Sequence, residues 1–220
     1  MSQDVQNSAT VATPAKRSSA RWKWGVIFAI LVLIGGGGLA GYRVYIWYQT
    51  QELYHPGTVQ AGVLYRDGNR GMREFKHALT ATKAKTVFSL IDDDELNDPN
   101  KPQFVDEVNY CSARLIQYIR IPVKLGGWPT SEDIRRFIKY ASDPANQPVL
   151  VHCAQGVRRT GMFVAAYQMS VLHHSREQAL AEIMSFGHKD RDLDDVRTFI
   201  REYDPVTQTL PAKDRGRSSE

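Results

Sequence analysis

Three stretches of different texture divide this chain. Residues 1–20 are rich in Ser, Thr, Ala and Gln with no apolar period, and such a stretch cannot bury enough apolar surface to offset the entropy of ordering. Residues 24–42 run nineteen positions without a charge, between Lys23 and Arg43, close to the about twenty apolar residues an α-helix needs to cross a bilayer. Aromatic residues flank this run, Trp22 and Trp24 before it and Tyr42, Tyr45, Trp47 and Tyr48 after it, as they do at membrane interfaces. The pattern predicts one transmembrane helix, with a tail over 1–23 and an anchor over 24–48. The alternative is a secretory signal peptide, since Gly38, Leu39 and Ala40 before Gly41 form a small-residue cleavage site.

Beyond the anchor, strand-like and helix-like patterns alternate over 49–205, which predicts an α/β domain. Strands are expected over 63–66, 86–91, 115–123 (broken near its end by Pro122) and 148–151. Met72, Phe75, Ala78 and Leu79 fall at helical spacing, as do Ile134, Phe137 and Ile138 within 130–140. Three further helices are expected over 160–173, 175–186 and 193–203, and a polar tail over 206–220. The expected fold is a mostly parallel central sheet flanked by helices, preceded by the membrane helix.

Charge changes the picture at one end only. The formal net charge of +4 is carried by the first 48 residues, where Lys16, Arg17, Arg21, Lys23 and Arg43 stand against Asp4. Four of these cations precede the apolar run and one follows it, so the positive-inside rule places the N-terminus in the cytoplasm and the C-terminal domain on the other side. The rest of the chain is balanced and has no basic stripe and no metal-ligand spacing. Nucleic-acid binding and a metal centre are therefore not expected. Two cysteines, Cys111 and Cys153, are too few for a disulfide framework.

The chemistry is concentrated at residues 151–161, Val-His-Cys-Ala-Gln-Gly-Val-Arg-Arg-Thr-Gly, where a strand, a tight loop and a helix start follow one another. Five residues between Cys153 and Arg159 can turn the N–H groups of Ala154, Gln155, Gly156, Val157, Arg158 and Arg159 inward as a nest for phosphate oxygens. The helix beginning there adds its positive end. A field of this kind turns a cysteine thiol into a thiolate nucleophile at neutral pH. The planar Arg159 guanidinium can grip two phosphate oxygens, Gly156 permits unusual backbone angles, and the Thr160 hydroxyl can donate to the departing sulfur. Arg158 could widen the field for a polyanionic substrate, or simply be exposed.

This run resembles the signature of the protein tyrosine phosphatase superfamily, His-Cys, five residues, then Arg and Thr/Ser. The weaker resemblance over 62–203 and the compact length are similar to its dual-specificity branch. The resemblance implies a two-step reaction through a cysteinyl phosphate, with no metal or organic cofactor. It implies phosphotyrosine, phosphoserine or phosphothreonine in proteins as substrate, with phosphoinositides as the alternative. It also implies a protecting role for a second cysteine, against which stands a plain reduced thiol at Cys111. In the family an aspartate on a separate loop, about thirty residues before the cysteine, acts as general acid. Here that stretch, 121–130, contains no acid, so a phosphate-binding pseudophosphatase is a rival reading. Asp133 follows Thr130 at capping-box spacing. Asp92, Asp93 and Asp94 instead follow the 86–91 strand, whose end is expected to open onto the same crevice as the Cys153 loop, and they are the candidates for the acid.

Overall fold

The computed structural model describes residues 20–54, 56–69, 71–185 and 190–211. The chain divides near Trp47 into two units.

The first unit contains most of α1 (Ala20–Tyr54). Its described side chains, among them Phe28, Leu31, Leu33 and Tyr45, are exposed. Among the described residues no helix is long and apolar enough to cross a membrane, so the transmembrane expectation over 24–42 finds no support there. The side chains of Val26 and Ala29, within that run, lie outside the described residues. Most of the expected disordered tail, residues 1–19, also lies outside the described residues.

The second unit is a five-stranded sheet in the order β1-β2-β5-β3-β4. In chain order its elements are β1 (Gly57–Gln60), β2 (Leu64–Gly68), α2 (Met72–Thr82), β3 (Thr86–Ser89), α3 (Asp93–Leu96), α4 (Gln103–Ala113), β4 (Gln117–Arg120), α5 (Ser131–Ser142), β5 (Val149–Cys153), α6 (Arg158–Ser170), α7 (Arg176–Ser185) and α8 (Asp190–Glu202). Only the β1–β2 pair is antiparallel, and β2, β5, β3 and β4 run parallel. This is the expected α/β architecture. The pattern missed β1, which is short and mixed in character, and α4.

Alternation along the central strands separates two cores, because successive strand residues face opposite sides of a sheet. From β5, Val149, Val151 and Cys153 join Phe88, Ile134, Phe137 and Phe163 on one face, while Leu150 joins Phe75, Leu79, Val87 and Cys111 on the other. Edge-to-face ring pairs at 5.2 Å (Phe88–Phe137) and 5.3 Å (Phe137–Phe163) tie β3, α5 and α6 together, each contributing about 0.5–1.5 kcal/mol beyond area burial. Nearly all of α6 is buried, so the helix that follows the cysteine is the axis of the domain. Residues 206–211, expected to begin a polar tail, fold back instead, and the Leu210 N–H donates to Ser131 Oγ at 2.9 Å.

Candidate active site

The register of the parallel strands brings three C-terminal ends together, with Gly68 opposite Cys153 and Ser89 opposite His152. Open α/β sheets bind ligands at such an edge, where the strand order reverses. Cys153 closes β5 with only 3% of its surface exposed. The loop then turns through Gly156 at φ +71°, a left-handed angle that favours glycine, and the Gly156 N–H donates to Cys153 Sγ at 3.2 Å. Val157 makes no side-chain cap on α6, which leaves the first N–H groups of the helix for an anion. Thr160 is fully buried, and its Oγ1 has no hydrogen-bond partner among the described residues.

The end of β2 braces this loop from beside it. A Cβ on Gly68 would lie 2.5 Å from the Gln155 carbonyl carbon and 2.8 Å from the Gly156 nitrogen, so only glycine lets the strand approach so closely. The Asn69 N–H donates to the Cys153 carbonyl at 3.0 Å, and the buried Arg66 donates to the Gly156 carbonyl. On the opposite face of the sheet, the buried Glu107 carboxylate accepts from Asn69, Ser89 and Tyr118 and lies 3.5 Å from His152 Nε2. Burial and then the Glu107 charge push the Tyr118 phenol up. Cys111 sits on that same face as a free thiol, pushed up to about 12 by burial and by Glu107. Cys153 is also free, so a protecting disulfide has no counterpart here.

Arg159 is held by a partner the motif did not reveal. Its Nη1 and Nη2 donate to the two oxygens of Glu95, and Nη1 also reaches the Leu90 and Val123 carbonyls at 3.1 Å each. Burial works against the charge. The Glu95 bonds and the nearby Cys153, Glu95 and Asp92 charges outweigh it and hold the guanidinium above its ordinary value.

The three candidate acids fall in different settings. Asp92 is buried; its Oδ1 caps α3 by accepting from the Glu95 N–H at 2.7 Å, and its Oδ2 accepts from the Leu125 N–H at 2.9 Å. Burial pushes this carboxyl up, but the two N–H bonds and the Arg159 charge bring it below the usual carboxylate range. Asp93 is exposed and paired with Arg120 at 2.8 Å. Asp94 is exposed, its carboxylate makes no hydrogen bond or ion pair among the described residues, and it lines a recess of about 330 Å³ together with Asp92, Glu95, Asp98, Lys101, Lys124 and Leu125.

Arg158 serves the neighbouring loop with its side chain. It donates to the Gly126 and Gly127 carbonyls at 2.6 and 3.0 Å and pairs with Asp195 of α8. Its guanidinium is thereby engaged by the 126–128 loop, and any phosphate contact it makes falls to its backbone N–H. The Trp128–Thr130 stretch is a loop, and Thr130 with Asp133 forms the expected capping box of α5. Glu95, Arg66 and Asp195 were not legible as site residues, because an acid or a base 37 to 90 residues from its partner in the motif carries no spacing signal.

Residues 63–202 match the model of a family described as DSP-PTPase phosphatase fused to NAD+ kinase. The dual specificity protein phosphatase TpbA of Pseudomonas aeruginosa is 25% identical in one strain and 38% in another, over 124 residues, 56% of this chain and 51% of that protein. A probable chloroplastic NAD kinase 2 of rice is 28% identical over 92 residues, 42% of this chain and 9% of that protein. This chain thus spans about half the length of TpbA and a small part of the rice kinase. The core catalytic domain of the PP-IP phosphatase SIW14 from S. cerevisiae has the same fold, with a TM-score of 0.55 at 21% identity, covering 69% of this chain and 87% of that one.

Proposed function

We propose that this chain, which belongs to the DSP-PTPase family described as phosphatases fused to NAD+ kinase, hydrolyses phosphate monoesters through a cysteinyl phosphate. Cys153 Sγ attacks phosphorus, the bond to the ester oxygen breaks, and the leaving oxygen takes a proton. Water then attacks phosphorus, the P–S bond breaks, and the thiolate returns. The observation that carries the reading is the cradle itself: Cys153 Sγ accepts from the Gly156 N–H at 3.2 Å beside an Arg159 locked by Glu95 at the start of α6. Electrostatic preorganisation of this kind acts on the charge that develops at phosphorus.

Phosphorylated protein is the substrate class we favour, supported by the dual specificity relative. Among the acid candidates the setting favours Asp94. Asp92 is held ionised with both oxygens engaged, and Asp93 is turned to Arg120. A second reading is favoured by the missing acid on 121–130: a leaving group that is itself a phosphate needs little protonation, as with the relative whose name is PP-IP phosphatase.

The test is hydrolysis of an alkyl phosphate, an activated aryl phosphate and an inorganic or inositol diphosphate by the wild type and by Cys153→Ser, Asp92→Asn, Asp93→Asn and Asp94→Asn. Cys153→Ser should abolish turnover and keep phosphate binding. The acid's variant should lose about 10²-fold or more on the alkyl ester alone. Wild-type rates in all three aspartate variants, with the diphosphate as best substrate, would favour the second reading. Turnover by Cys153→Ser would reject both.

We further propose that α1 anchors the domain to a membrane, with the catalytic unit on the non-cytoplasmic side. The charge-free run over 24–42, its exposed apolar side chains and the basic residues before it support this. Protease added to intact cells or spheroplasts should then cut the domain, and protection until lysis would reverse the topology.

A further inference from the structure

A second buried guanidinium stands beside the phosphate cradle. Arg66 lies in β2 opposite Val151, on the sheet face that Leu64 and Val151 share with Cys153, and it is 1% exposed. Burying a full positive charge is costly unless it meets an anion or well-placed acceptors. Its Nη2 meets the Gly156 carbonyl, in the peptide that leads to Val157. A trans peptide is planar with its C=O and N–H antiparallel. Holding the Gly156 carbonyl at Arg66 therefore aims the Val157 N–H the opposite way. The peptide before it is pinned as well, since the Gly156 N–H points at Cys153 Sγ and Gly68, two residues along β2 from Arg66, leaves no slack against Gln155 and Gly156. The strand thus fixes two consecutive peptides of a loop that would otherwise have glycine's freedom.

We propose that Arg66 is a positioning residue of the phosphate site: through the Gly156 carbonyl it sets the direction of the Val157 N–H, and it supplies a fixed positive charge beside Cys153 in addition to that of Arg159. Burial lowers the Arg66 guanidinium to about 10, with the Cys153 and Asp67 charges opposing the shift, so it remains protonated at neutral pH. Among the described residues, the charged groups that share this corner include Asp67 on β2, Arg159 on α6 and, through Arg159, Glu95 and Asp92. The proposal rests on the reading of residues 153–159 as a phosphate cradle.

The experiment uses the full chain with Arg66→Gln and Arg66→Lys. It measures the dissociation constant of inorganic phosphate by its protection of Cys153 from iodoacetate, the pH midpoint of that alkylation without phosphate, and the melting temperature. Arg66→Gln should weaken phosphate by about tenfold, the scale of a charge-assisted hydrogen bond, and should move the alkylation midpoint to higher pH. Arg66→Lys keeps the charge on a shorter stem with no planar fork. It should restore the midpoint while leaving phosphate weakened about threefold or more. A folded Arg66→Gln variant with wild-type phosphate affinity and midpoint would overturn the proposal. If Arg66→Gln does not fold, wild-type values in Arg66→Lys would overturn it, leaving Arg66 a residue of the fold alone. Absence of phosphate protection in the wild type itself would instead overturn the phosphatase reading beneath it.

Discussion

Glu95→Gln is the most informative single perturbation, because it removes one charge and almost no volume. Arg159 and Glu95 are both nearly buried, their side chains 5% and 7% exposed, and they meet through both carboxylate oxygens. Removing one partner of a buried pair costs about 3–5 kcal/mol, because the other charge is left uncompensated. Glutamine keeps one acceptor oxygen and turns an amide toward the guanidinium, so a cost at or just below the bottom of that range, about 2–3 kcal/mol, is expected. In a domain of this size each kcal/mol moves the melting temperature by roughly 2–4 °C, so melting should fall by about 4–12 °C. The Leu90 and Val123 carbonyls still hold Nη1, so Arg159 tilts rather than leaves. Misplacement on the ångström scale costs about 10²-fold in kcat/KM. Differential scanning fluorimetry and steady-state hydrolysis of an aryl phosphate read the two effects side by side. A variant that melts with the wild type and turns over at its rate would show that the pair contributes neither stability nor position.

Two further substitutions test the brace and the cap. Gly68→Ala places a methyl 2.5 Å from the Gln155 carbonyl carbon. Because backbone has to move, it should cost about 1–3 kcal/mol and reduce phosphate affinity as well, whereas wild-type kinetics would show that β2 does not set the loop. Asp92→Asn keeps a capping oxygen but loses the charge beside Arg159. The folded Asp92 carboxyl is depressed, so it contributes stability above the unfolded value of about 3.9 and loses it as pH falls through the lower folded value. Urea unfolding across pH 7 to 3 should therefore show a gap between wild type and variant that is widest near neutrality and closes in acid. A gap independent of pH would assign the effect to packing.

The local signals in this chain were strong where chemistry and secondary structure coincide within a few residues. The run 151–161 specified the strand, the loop and the helix start around the proposed nucleophile, because a cysteine nest needs those residue types in that order. Thr130 and Asp133 announced the start of α5, because a capping box is closed between residues three apart. The parallel sheet followed from alternation of element types, and with it the expectation that the end of the 86–91 strand opens beside Cys153, which the Ser89–His152 register satisfies. Partners from distant parts of the chain could not be read this way. Glu95 reaches Arg159 across 64 residues, Arg66 reaches Gly156 across 90, and Asp195 reaches Arg158 across 37. Which acid or base becomes a partner depends on strand order and register, and neither is encoded by spacing along one strand. The same holds for the aspartates: three adjacent acids look equivalent in sequence. Once α3 begins at Asp93, one is buried as its cap, one is turned to Arg120 and one is left facing the recess. The helix period, 100° per residue, separates neighbours in sequence, and tertiary packing decides what each of them meets.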